Sequence, residues 1–314
     1  MLVKQFLYQI PCQNILGENV LWCTQEQALF WTDIHNKLLH IWHFDTQIHQ
    51  TISLPYKLAT FAFTERKEWL MAGFEQGLAL FNYKTREMQW VADIEKENPH
   101  TRMNDGKCDP KGRYWFGTMV SNGDYAKLDV KQQGALYSAH FDSLPEGSPI
   151  QQVHIEHTLS GIHISNGLCF NNDASVMYHS DSSTHKVYQY ELDEDGYIID
   201  QRLFAKFEKH CFPDGACVDT QGNVWIALWG GACVVCLNSE GQELFRYPIP
   251  VTQGACVAIG GPNMDHLFIT SAQENLPKAQ LAKQPRAGNV FVYQLSDKLG
   301  REEPRVTVPD SSFV

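Results

Sequence analysis

Basic residues are in the minority. The chain has 25 lysines and arginines against 36 aspartates and glutamates, a net charge of −11. Such a surface repels a phosphate backbone, so no nucleic-acid partner is expected. No apolar run approaches the roughly 18 residues of a membrane-spanning helix, so no membrane partner is expected. The opening MLVKQFLYQIPCQN has neither a long apolar stretch nor a small-residue cleavage site, and Asn-X-Ser/Thr is missing throughout. A secretory signal is therefore not expected. The nine scattered cysteines then read as free thiols of a cytoplasmic protein. GxSxG, GxGxxG, a P-loop and HExxH are also absent. Their absence argues against a serine hydrolase, a Rossmann cofactor, a nucleotide site and a zincin-type centre.

Helix signals are scarce, and β-branched and aromatic runs fill the chain. Of 314 residues, 43% are hydrophobic and 12% aromatic, enough for a large core and too apolar for disorder. Six segments share one layout of three short strands, beginning at positions 18, 60, 104, 166, 214 and 253, with a mean step of about 47 residues. ENVLW, ALFWTDI and KLLHIWHF form the first; DGACVD, VWIALW and CVVCLN form the fifth. A fourth run follows most segments, as in QTISLP, MQWVADI and ELFRYPI. Four antiparallel strands at this period predict an all-β, six-bladed β-propeller in one domain over 1–314. VKQFLYQI precedes the first segment and is a fourth-strand run without a blade. Residues 3–10 are expected on the outer edge of blade six, with PRVTVP (304–309) as the other source of that strand. A polar stretch at 142–149 lengthens the third step.

In a propeller the first strand of each blade lines the central channel. The leading residues are Glu18, Thr60, Asn104, Asn166, Asp214 and Gln253, all polar ahead of largely apolar residues. They are expected to converge at one channel mouth. Carboxylate and amide oxygens suit a hard divalent cation. The alternative is that they only satisfy strand-edge backbone groups and channel water.

Three long motifs then identify a relationship. RMNDGKCDPKGRYWFGTM (102–119), SNGLCFNNDASVMYHSDS (165–182) and FPDGACVDTQGNVWIALWGGACV (212–234) resemble the SMP-30/gluconolactonase/regucalcin family. GENVLW at 17–22 and TSAQENLPKAQLAKQPRAGNVFVY at 270–293 extend the likeness over nearly the whole chain. The resemblance implies one divalent metal in the channel, Ca²⁺ first, with Zn²⁺, Mg²⁺ or Mn²⁺ as the other choices. It implies Glu18, Asn166 and Asp214 as ligands, Asn104 beside the metal as ligand or substrate contact, and Arg102 on sugar hydroxyls. The family's acidic sugar-binding residue soon after the GTM motif is missing here. Asp124, in SNGD, is the expected substitute.

The implied activity is hydrolysis of a small-molecule sugar lactone. A metal on the carbonyl oxygen stabilises the developing oxyanion, and Asp214 is the expected general base. Arg102 can offer paired hydrogen bonds, and Asn104 can both donate and accept. Two alternatives use the same site: a phosphotriesterase-like hydrolase, and a calcium-binding or scaffold propeller without catalysis. The residues carry no signal for oligomeric state.

Other features read as structural. Cys233 and Cys236 form a CxxC on a strand, where i and i+3 face opposite ways. Cys169, Cys217 and Cys256 share one register and are expected to pack between blades, as are Trp22, Trp115 and Trp225. His154 and His157 are assigned to an outer strand face, and His179 to a position near the loops. DxxG runs such as Asp109–Gly112 read as hairpin turns. Segments 120–133 and 273–287, the second with a short helix, are long enough to cover the channel mouth.

Overall fold

Alternating short strands and tight turns leave each blade with two apolar faces, which only another blade can cover. The structure, a computed structural model, describes residues 3–141 and 153–309. Its strands form six four-stranded antiparallel sheets. The innermost strands are Gly17–Cys23, Leu58–Phe63, Thr101–Cys108, Ser165–Phe170, Phe212–Val218 and Gly254–Gly260. Each touches the innermost strand of the next sheet, and the sixth returns to the first. This is the expected six-bladed propeller. The polar stretch at 142–149 lies outside the described residues.

The ring closes as expected. Val3–Ile10 pairs antiparallel with Val290–Leu295, so the start of the chain supplies the outer strand of blade six. PRVTVP does something else. Thr220 N donates to Leu299 O (2.9 Å), and Arg301 donates to Phe170 O (2.6 Å). Val306 N donates to Phe63 O (2.8 Å), and Thr307 N to Gly112 O (3.1 Å). Residues 299–308 thus cross the propeller as a strap over the turns at the channel's far end. Lys107 from blade three meets Glu303 of the strap at 3.6 Å, both largely buried.

Burial follows the blade interfaces. Six apolar clusters fill the spaces between neighbouring blades. Trp22 stacks on Phe268 of blade six at 5.8 Å, and Trp115 meets Phe170 of blade four at 5.6 Å. Cys233 and Cys236 fall in different clusters, as opposite strand faces require. All nine cysteines are free, eight of them buried.

The DxxG turns are hairpin connections. Asp109 accepts from Lys111 N and Arg113 N through one oxygen, and from the Trp115 indole (2.9 Å) through the other. Asp219 repeats this with Gln221, Asn223 and Trp225. Gly112 and Gly222 hold the turns at φ 83° and 81°, where a side chain would be strained.

Candidate active site

Each innermost strand enters the channel at the same mouth, and each is bulged just inside it. In blade one the pairing steps from Glu18↔Thr32 to Leu21↔Phe30, two residues facing one. Blade four does the same from Asn166↔Ser180 to Cys169↔Tyr178. The extra residue turns the strand and re-aims the side chain ahead of it into the channel. Asn19 (φ 49°) and Gly167 (φ 65°) sit directly after Glu18 and Asn166 in the left-handed conformation. The approach to each strand is held as well. Asp33 accepts from Ile15 N and Leu16 N, and Asp181 accepts from His163 N and Ile164 N.

Glu18, Arg102, Asn104, Asn166 and Asp214 line one cavity of about 330 Å³ at this mouth. A chain of hydrogen bonds fixes its floor. Arg102 Nη1 donates to Met103 O (2.7 Å) and Asn104 Oδ1 (3.0 Å). Asn104 Nδ2 is 2.9 Å from Ser165 O and 3.0 Å from Asn166 Oδ1. Asn166 Nδ2 donates to Ser182 Oγ (2.9 Å), which donates to Pro213 O (2.7 Å). Asp214 Oδ1 is buried with no partner.

The carboxyls are electrostatically frustrated. Burial, then the neighbouring Asp105 charge, pushes Glu18 well above the usual carboxylate range. Asp214 is pushed up by burial and then by Glu18. Asp105, beneath them, is raised by burial to about 6, although Gly106 N (2.8 Å) and Leu168 N (2.9 Å) donate to it. Among the described residues no group of three His, Cys, Asp or Glu side chains is placed to hold a metal. The donor set here is two carboxylates and an asparagine amide. It fits a hard divalent cation, which would relieve the mutual repulsion of Glu18 and Asp214 and occupy the orphaned Asp214 oxygen.

Other sequence expectations land elsewhere. Thr60 is fully buried and bonded to Asn19 Oδ1 (2.7 Å). Gln253 donates to Glu274 O (2.9 Å) and does not line the cavity. Asp124 is not brought to it either. Its exposed side chain accepts from Ala126 N (3.2 Å) at a 3₁₀ turn and pairs with Lys127 (2.9 Å), because the chain leaves the mouth after Val120. His179 is buried against Ser165 Oγ (2.8 Å), and burial lowers its pKa to about 4.

Glu274 and Asn275 do line the cavity and were not singled out by residue. The clue was the loop at 273–287, which carries the four-residue helix Lys278–Leu281. Glu274 is held by His35 at 2.6 Å. The 120–133 segment forms two 3₁₀ turns, and its Tyr125 stacks on His163 at 4.2 Å.

A family model described as SMP-30/Gluconolactonase/LRE-like region matches residues 16–273. The chain is 32% identical over 283 residues to an L-arabinolactonase of Azospirillum brasilense, covering 90% of this chain and 89% of the relative. It is 32% identical over 289 residues to a 6-deoxy-6-sulfogluconolactonase of Pseudomonas putida, with 90% and 92% covered. A solved structure of a calcium-binding protein, regucalcin, from Agrobacterium tumefaciens strain C58 superposes with a TM-score of 0.84. That match is 25% identical, over 96% of this chain and 98% of that one.

Proposed function

The chain belongs to the SMP-30/gluconolactonase/LRE-like family, and from that premise we propose that it hydrolyses sugar lactones to aldonic acids with a divalent cation. The names of its two lactonase relatives support the reaction class, and the calcium-binding regucalcin supports the metal. The observation that carries the reading is Asp214, which keeps one buried oxygen without a partner and lines a cavity with Glu18 and Asn166. A scaffold has no need of two converging carboxylates held against their own repulsion.

Glu18, Asn166 and Asp214 are the proposed ligands, with calcium the first choice because all donors are oxygens. The bound cation supplies Lewis-acid polarisation of the lactone carbonyl. Asp214, kept ionised in its presence, takes the proton of the attacking water. Asn104 gives its amide hydrogens to Ser165 O and Asn166 and accepts from Arg102, so its Oδ1 keeps one lone pair for a substrate hydroxyl or the cation. Arg102 is pinned through Nη1 alone, leaving Nε and Nη2 to donate to substrate hydroxyls.

The test is proton release from gluconolactone, galactonolactone and arabinonolactone, with and without chelator. Hydrolysis of at least one, abolished by chelation and restored by a divalent cation, is the expected result. Rates indifferent to chelation would remove the metal from the mechanism.

A further inference from the structure

Two residues before three of the floor positions stand three apolar side chains: Leu16, Ile164 and Phe212, ahead of Glu18, Asn166 and Asp214. Side chains two apart on a strand share a face, so these form a second ring nearer the mouth. All three line the cavity, joined by Met119 and Trp229. Those two are placed by pairing: Met119 lies opposite Arg102 and bridges to Ile164, and Trp229 lies opposite Phe212. Met119, Ile164, Phe212 and Trp229 are only half-buried, so they keep surface turned to open space.

Ser182 of blade four also lines the cavity, with its hydroxyl given to Pro213 O, and the remaining polar side chains beyond the floor are few. Arg102 comes from blade three, and Glu274 and Asn275 from the loop of blade six. From Met119, beside Arg102 on blade three, through Ile164 of blade four to Phe212 and Trp229 of blade five, the lining is a run of apolar side chains. The chain after Met119 adds no polar group to it. Val120 is buried, Ser121 N and Asn122 N donate to His100 O, and Asp124 points to solvent.

We infer that the site selects lactones whose substituent far from the carbonyl is deoxygenated, a methyl group where a common hexonolactone carries hydroxymethyl. This rests on the lactonase reading above. With the carbonyl at the floor, the far substituent reaches the apolar wall. A hydroxyl there gives up water without a protein partner, whereas a methyl gains contact. One such group in an apolar pocket discriminates by roughly tenfold or more.

The test compares hexono-1,4-lactones with their 6-deoxy counterparts of the same configuration, at saturating cation, by initial proton release. The deoxy member of a pair should show a kcat/KM higher by about tenfold. Met119→Gln and Ile164→Gln each place an amide on the wall, and each should shift the ratio at least about threefold toward the hydroxylated member. Hydroxylated lactones hydrolysed equally well or better by the parent protein would overturn the inference and leave the lactonase reading standing. So would a ratio that neither variant moves. Failure of every lactone to turn over in the cation-loaded protein would overturn the lactonase reading and this inference with it.

Discussion

Asn104 donates to the side-chain oxygen of Asn166 across 3.0 Å, tying blade three to blade four at the channel mouth. The bond has a directional consequence. Asn166 gives its NH₂ to Ser182 at 2.9 Å, so its oxygen is the atom turned to the floor. That oxygen accepts one hydrogen bond and keeps a second lone pair for a cation. Arg102, Asn104, Asn166, Ser182 and the Pro213 carbonyl therefore act as one oriented chain over three blades, ending beside Asp214.

Asp214→Asn keeps the shape and one oxygen but removes the charge and, with it, the proposed base. Turnover of the preferred lactone should fall by at least about 10². Metal content measured on the same sample separates a lost cation from a lost base. A variant that holds its metal and works at the parent rate would remove Asp214 as the base.

Arg102→Ala removes the donors proposed to act on substrate hydroxyls, in ground and transition states alike. KM should rise several-fold with kcat nearly unchanged. Steady-state kinetics on one lactone decides this, and a loss confined to kcat would place Arg102 in the chemical step instead.

The strap makes its own prediction. Glu303→Gln leaves the Lys107 ammonium largely buried without its charge partner, at a cost of about 3 kcal/mol, the low end for a buried pair. Glu303→Gln combined with Lys107→Met should be more stable than Glu303→Gln alone. Urea denaturation of the two variants checks the order, and a double variant no better than the single one would show the pair to be unimportant.

Acid should destabilise the protein through two histidines. Burial lowers His40 to about 4, with His49 at 2.9 Å adding to the shift, and burial lowers His179 to about 4. A histidine depressed in the folded state favours folding above the ordinary 6.5. That stability is lost as pH falls from 6.5 through about 4, because the unfolded chain binds the proton first. Each histidine accounts for a loss on the order of 2–3 kcal/mol at the acid end. Thermal melts at pH 7 and pH 4.5 should converge in His179→Gln and in His40→Gln relative to the parent; an unchanged gap would place the acid sensitivity elsewhere.

Much of the architecture was legible because it is written locally. A strand reports itself through alternation, and a blade through its return after about 47 residues. The unpaired run at 3–10 was visible as a strand without a blade, and it pairs on blade six. The leading polar residues followed from the same register. Glu18, Asn104, Asn166 and Asp214 do meet around one cavity, whereas Thr60 and Gln253, in the same register, do not. The difference lies in neighbours from other blades: Asn19 and Gly106 take up Thr60, and the Glu274 carbonyl takes up Gln253.

What lies between distant segments had no local signal. PRVTVP has the composition of a strand, yet it caps the far end of the channel. Its partners, Phe63 and Gly112, come close only once the ring has closed. Asp124 stands five residues after Met119, near enough in sequence to reach the cavity, but the chain turns outward at Val120 and the carboxylate is spent on Lys127. Glu274 was hidden for the opposite reason, since nothing in QENLPK says that His35, 239 residues earlier, will hold its side chain at the mouth. The repeat, the blade and the oxygen-rich register can be read along the chain, because they depend on alternation within one strand and on its return after about 47 residues. Ring closure decided which of those oxygens share a cavity, because that depends on how six separately bulged strands meet around one axis.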